Sequence, residues 1–257
     1  VIKNFRNKRL ITYLIMIYCV ISIASMESPI LSISQKKEFY PEYDKSFLMG
    51  KYDPQTHPDF TLCDKYVSDD KTYLQTEVFE AFLEMAEAAS KDDIHLQIIS
   101  GTRTFDQQKE FWEYKIKAIS QNKFEKMSTF QKNKVIKHVL QFTAMPGTSR
   151  HHWGTEIDIV SSDPVFYQSQ EGKELYKWML RNAGDFGFRQ VYNDNVSRSG
   201  HQAEPWHWSY YRLTVPIYYC YLSKVTQSDI KGFVGEEFAQ EILVINKYVT
   251  GINPDVK

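Results

Sequence analysis

Two short segments carry side chains whose chemistry goes beyond packing: Ser149-Arg150-His151-His152-Trp153-Gly154-Thr155-Glu156-Ile157-Asp158 and Glu204-Pro205-Trp206-His207-Trp208. Together they supply two imidazoles, a carboxylate, and a second carboxylate three residues before the last imidazole. A catalytic zinc ion takes three protein ligands of this kind and leaves its fourth position open, so His151, Asp158 and His207 form a chemically complete set. A water activated at such an ion still needs a group to take its proton and pass it to a leaving amine, and Glu204, beside His207, suits that duty. The pattern predicts a hydrolytic centre with Zn2+ as cofactor.

Other side chains compete for these roles. His152 adjoins His151 and would replace it as ligand if the loop turned by one residue. His201 lies near Glu204 on a Gly-containing loop, either as a rival ligand or as a contact lining the cleft. His57, His95 and His138 stand apart without partners and read as ordinary core or surface groups. Glu156 reads most simply as a charge on the solvent side of a strand; turned into the cleft, it would repel anionic substrates. Trp153, Trp206 and Trp208 fit either the core or a wall that keeps water from a metal.

Periodicity outlines the elements that must hold these groups. Gly154, and the alternation of Ile157 and Ile159 about Asp158, predict a loop entering a strand, with His151 on the loop and Asp158 on the strand. Residues 76–90 place Val78, Phe79, Phe82, Leu83, Ala86 and Ala89 on one helical face, and 95–100 form a short apolar strand whose end launches Arg103. Helices are expected over 106–120 and 128–142, before Pro146 and Gly147 break the chain into the metal-binding loop. A helix near 172–183, a strand over 186–192 and a strand over 206–211 follow. Ile230, Phe233, Val234, Phe238, Ile242 and Ile245 predict one long amphipathic helix over 228–249. This order, with connections too long for a meander, argues an α+β fold.

At its metal segments the chain resembles the zinc-dependent D-alanyl-D-alanine carboxypeptidases of the VanY type, peptidoglycan peptidases that share a fold with the Hedgehog signalling domain. The pattern of that family is Ser-x-His, two residues, Gly, three residues, Asp, and later Glu-x-Trp-His; it is met here at every metal position. A third segment, Ser100-Gly101-Thr102-Arg103-Thr104-Phe105-Asp106-Gln107-Gln108, is similar to the family's Ser-Gly-Tyr-Arg-Ser run with a Gln five residues beyond the Arg. The phrases at 47–60, 144–158 and 248–255 also resemble a bacterial subgroup, so the likeness runs from about Phe47 to the C-terminus.

The resemblance implies that His151, Asp158 and His207 bind zinc, that Glu204 is the general base, and that Arg103 and Gln108 contact substrate, with Ser149 a further candidate for the same anionic pocket. A guanidinium suits that place, because it can hold a carboxylate or an oxyanion through paired hydrogen bonds. The implied fold is a small, mostly antiparallel sheet with helices packed on one side and the zinc cleft on the other. The implied substrate is a peptidoglycan stem peptide, cut next to a D-amino acid. D,D-carboxypeptidase, L,D-carboxypeptidase and endopeptidase activities share this metal chemistry; a non-catalytic wall-binding or signalling module is the alternative, and a missing base would mark it. Thr102 stands where the family usually has Tyr, and Glu156 where it has a small residue such as Ala, so both bear on the shape of the pocket.

With 257 residues, 42% hydrophobic and 25% charged, the chain can bury one good core and does not demand two domains. A formal net charge of −1 gives no footprint for nucleic acid, which is excluded as a partner. Lys3, Arg6, Lys8 and Arg9 precede an uncharged run over 10–24, the layout of a secretory signal cleaved after Ala24; an uncleaved membrane anchor is the alternative. Either places the protein in the cell envelope, periplasm or wall, with membrane contact only through that segment. Residues 25–53 read as an extended lead-in and 54–257 as the single catalytic domain. Cys63 and Cys220 pair or stay apart according to whether the fold brings them within reach.

Overall fold

In the computed structural model, which describes residues 42–63, 71–195 and 197–257, several helices start at a side-chain cap. The expected signal or anchor, and most of the lead-in, lie outside the described residues. The described chain opens with α1 (Lys45–Leu48), capped by the Asp44 carboxylate, and a two-stranded ribbon, β1 (Phe60–Leu62) with β2 (Tyr73–Gln75). Helix α2 (Thr76–Ser90) follows, then β3 (Ile98–Ser100). Capping boxes start the next two helices, Thr104 with Gln107 at α3 (Phe105–Ser120) and Ser128 with Gln131 at α4 (Thr129–Val139), each satisfying two otherwise orphaned donors. After β4 (Glu156–Ile159) come α5 (Gln170–Asn182), β5 (Phe188–Gln190), β6 (His207–Tyr210), α6 (Tyr211–Lys224) and α7 (Phe238–Ile242).

Strands β3, β4, β6 and β5 lie side by side in that order, all antiparallel, and their two faces do different work. Ile98, Ile157, Ile159, Phe188, Trp208 and Tyr210 point to one face and bury themselves against Val78, Phe82 and Met85 of α2 and Leu175, Trp178 and Met179 of α5. The period of two then sends Glu156, Asp158, His207 and Ser209 to the other face. A second core, built from α3, α4, α6, α7 and the chain's end around Trp112, Ile136, Trp153 and Tyr221, closes that side of the molecule. The α+β architecture, built on a small antiparallel sheet with polar groups on the face away from α2 and α5, is the one expected.

Three expectations need correction. Residues 228–249 do not form one helix: Gly232 and Gly235 adopt φ of 99° and 86°, Leu243 turns left-handed, and the apolar positions are delivered by a loop carrying Ile230, Phe233 and Val234, by α7 and by a wider π-type turn (Ile245–Val249). Helix α6 was not foreseen. It contains Pro216, which deletes one backbone hydrogen bond, and has no side-chain N-cap, yet buries Thr214, Ile217, Tyr218 and Tyr221, so packing overrides local preference. The lead-in also joins the core earlier than residue 54, through buried Phe47, Leu48 and Met49. Cys63 and Cys220 belong to different cores and form no disulfide with each other.

Candidate metal centre and active site

Register brings the first two candidate ligands together. Asp158 of β4 pairs directly with His207 of β6, while their neighbours Ile157 and Trp208 pair on the core face. His151 arrives from a tight turn (Arg150–Trp153) that ends at Gly154, whose φ is +70° and where a Cβ would lie 2.3 Å from the Phe60 ring. Only glycine meets both conditions. The turn is tied to the strand end that carries Arg103: His151 Nδ1 lies 2.7 Å from the Gly101 carbonyl, and the Arg103 N–H donates to the His151 carbonyl at 3.1 Å.

These hydrogen bonds fix which nitrogens carry protons. A carbonyl only accepts, so His151 must donate from Nδ1 and present its Nε2 lone pair to the cleft. His207 Nε2 lies 3.0 Å from the ionised Glu156 carboxylate, so it donates there and presents Nδ1. The two lone pairs face each other at 3.3 Å, and Asp158 stands 3.3 Å from the first and 3.1 Å from the second, its Oδ1 making no hydrogen bond of good geometry. Three electron-rich atoms this close repel one another unless a cation lies between them. A tetrahedral ion with bonds near 2.1 Å spaces its ligands by about 3.4 Å, close to what is seen. Zinc fits this donor set.

Glu204 completes the polar cluster, its Oε2 3.6 Å from His207 Nδ1. Its backbone is pinned on both sides, donating to Tyr192 and accepting from the Gln190 amide. Burial pushes the Glu204 carboxyl up to about 8, against the downward pull of His207. Burial alone would lower the His207 imidazolium, but hydrogen bonds and charges from Asp158 and Glu156 outweigh it and push it up to about 9. Burial would likewise raise Asp158, yet His151 and His207 hold it well below the usual carboxylate range.

A family model described as D-alanyl-D-alanine carboxypeptidase, VanY, matches residues 71–213 and so takes in every one of these groups. The chain belongs to the VanY family. It is 29% identical over 128 residues to a D-alanyl-D-alanine carboxypeptidase of Enterococcus faecalis, spanning 49% of this chain and 44% of that protein's length. It is 26% identical over 154 residues to the bifunctional D-Ala-D-Ala dipeptidase and D-Ala-D-Ala carboxypeptidase VanXYC of Enterococcus gallinarum, spanning 57% of this chain and 71% of that one. A solved vancomycin resistance D,D-pentapeptidase VanY in complex with Zn(II) is 21% identical, covers 72% of this chain and 89% of its own, and superposes with a TM-score of 0.44.

The other polar residues singled out in this VanY-family chain either line the cavity or brace it from behind. Arg103 and Ser149 line the same cavity as His151, Glu204 and His207. Arg103 Nη2 lies 4.0 Å from Asp158, and its buried Nε makes no hydrogen bond, leaving a donor available to an anionic group. Gln108 does not line the cavity; it is wholly buried on α3 and donates to the Ala144 carbonyl, holding the wall behind Arg103. His152 is no ligand: Nδ1 lies 2.7 Å from the Arg103 carbonyl while Nε2 accepts from the Gly147 N–H, so the ring braces the site from below. His201 lines the cavity with Nδ1 on the Leu140 carbonyl, outside the metal set.

The tryptophans are core. Trp206 and Trp208 pack behind the sheet, and Trp153 donates to the Leu48 carbonyl. Glu156 overturns its expected place on the solvent side. Strand β4 lies between β3 and β6 with both faces covered, so all four of its residues are buried and the glutamate touches His207. The signal was present in the sequence: two residues before Asp158 on a strand, Glu156 had to share the metal's side of the sheet.

Proposed function

We propose that this chain is a zinc-dependent carboxypeptidase that hydrolyses the peptide bond next to a D-amino acid in peptidoglycan stem peptides of the D-Ala-D-Ala type. The observation that carries the reading is the meeting of two imidazole lone pairs and a carboxylate within 3.3 Å, with Glu204 beside them. Membership of the VanY family supports the substrate class.

His151, Asp158 and His207 would hold zinc, which when bound supplies an activated water and a Lewis acid for the scissile carbonyl. Glu204 takes the proton from the attacking water and delivers it to the departing amine. Next to a divalent cation its carboxylate form is favoured, which returns a group raised by burial towards the working range of a base. Arg103 presents guanidinium donors to the terminal carboxylate or to the oxyanion that forms during attack. Arg103, Ser149, His151, Tyr192, His201, Glu204 and His207 line one cavity, so the groups assigned to the reaction share a common space. We further propose that the enzyme works in the cell envelope, where this substrate class lies and where the basic and apolar N-terminal segment would direct it.

A defined stem peptide ending in D-Ala-D-Ala, incubated with the purified protein and followed by mass spectrometry, tests the proposal. The expected product lacks one terminal residue, and a chelator abolishes its formation. Cleavage only inside cross-linked dimers would make the protein an endopeptidase, and no turnover of any stem peptide by zinc-loaded protein would contradict an enzymatic role.

A further inference from the structure

Glu156 takes no part in the reaction just described, yet it is the most completely surrounded carboxylate of the polar cluster. Its Oε1 lies 2.7 Å from Ser209 Oγ, 3.1 Å from the hydroxyls of Thr155 and Thr214, and 3.3 Å from Nη2 of Arg150. Its Oε2 faces His207 Nε2 alone, at 3.0 Å. Both members of the Glu156–Arg150 pair are wholly buried, and the guanidinium also lies over the Trp153 ring. A charge pair removed from water in this way is expensive, and an apolar pair of like volume would serve packing equally well.

We propose that Glu156, locked by Arg150 and the three hydroxyls, is a positioning residue that aims the Nδ1 lone pair of His207 at the metal and strengthens zinc binding. The inference rests on the proposed zinc centre. Two strands supply both ligand and support: Asp158 pairs with His207, and Glu156, two residues earlier, pairs with Ser209. An anionic acceptor on Nε2 excludes the other tautomer, in which Nδ1 would carry the proton and could not ligate. It also resists a ring flip, which would turn C–H groups towards both Asp158 and Glu156. Donating to a carboxylate makes an imidazole a more basic metal ligand, and loss of such a partner costs about 10- to 100-fold in metal affinity.

The test compares zinc affinity, measured by competition with a chromophoric chelator, in wild type and in the double variant Arg150→Met/Glu156→Ala, which removes both buried charges together. The expected result is a dissociation constant weaker by about 10- to 100-fold, with Glu156→Asp recovering part of the loss. Zinc-loaded wild type, labelled with 15N at its imidazoles, should show His207 bound through Nδ1 with a slowly exchanging Nε2–H; this measurement stands even if the variants fail to fold. Unchanged affinity in a folded double variant, or wild-type His207 ligating through Nε2, would overturn the inference while leaving the zinc enzyme intact. Wild-type protein that binds no zinc would overturn both.

Discussion

In the proposed mechanism, catalysis depends on a single carboxylate, Glu204, whose position and proton affinity are set by neighbours. Glu204 is buried, pinned through its backbone to Tyr192, and aimed at the same nitrogen that faces Asp158. Glu204→Ala should leave the fold and zinc content unchanged while kcat falls by about 10²- to 10⁴-fold, the usual worth of a general base. Zinc analysis beside steady-state kinetics checks this, and full activity in the variant removes Glu204 from the mechanism. At this scale the sequence was informative about types and spacing but not about direction. Adjacent imidazoles at 151 and 152 are indistinguishable on paper; only the folded loop spends both nitrogens of His152 on backbone groups. Gln108 was expected to touch substrate and instead braces the wall, because α3 turns it inward.

Elements position the candidate ligands through two features, the β4–β6 register and the turn that ends at Gly154. Replacing Gly154 with alanine forces a side chain into a left-handed backbone and against Phe60, a strain worth about 1–3 kcal/mol. The expected outcome is a stability loss of that size in urea unfolding, with weaker zinc binding because His151 is carried on the same turn. Unaltered stability and affinity would mean that the turn adapts at no cost. Helices with clean periodicity, α2 through α5, the last three also capped, were legible in the sequence to within a few residues. Segments governed by tertiary packing were not. Glycines at 232 and 235 interrupt an apolar pattern that suits a helix, and α6 forms around a proline because its buried aromatic face outweighs the lost hydrogen bond.

For the whole molecule, the cluster of titrating groups couples folding to pH and to metal. His207 and Glu204 are both raised in the folded state, from 6.5 to about 9 and from 4.5 to about 8. Raised groups contribute stability that is full below their unfolded values and is lost as pH climbs through the folded ones. His152 and His201, both lowered by burial to about 3, act only below pH 6.5, where their stabilising effect disappears on acidification. Metal-free protein should therefore lose thermal stability between pH 6.5 and 9, and the rise in Tm on adding zinc should grow over the same window, since the ion replaces the departing protons. Calorimetry of metal-free and zinc-loaded protein checks both trends, and a metal-free Tm that is flat or rising there would contradict them. The strand at Asp158 was legible in the sequence because its alternation is strict there, whereas the sheet and its cleft came from the family resemblance; the second core was not legible, because its members come from segments far apart in the chain.

Diffraction from zinc-loaded crystals, recorded on both sides of the zinc absorption edge, tests the central claim most directly. The account predicts one ion per chain, bound by His151 Nε2, the Asp158 carboxylate and His207 Nδ1, with Glu204 facing its open side. An ion bound elsewhere, or none between these three side chains, would contradict it.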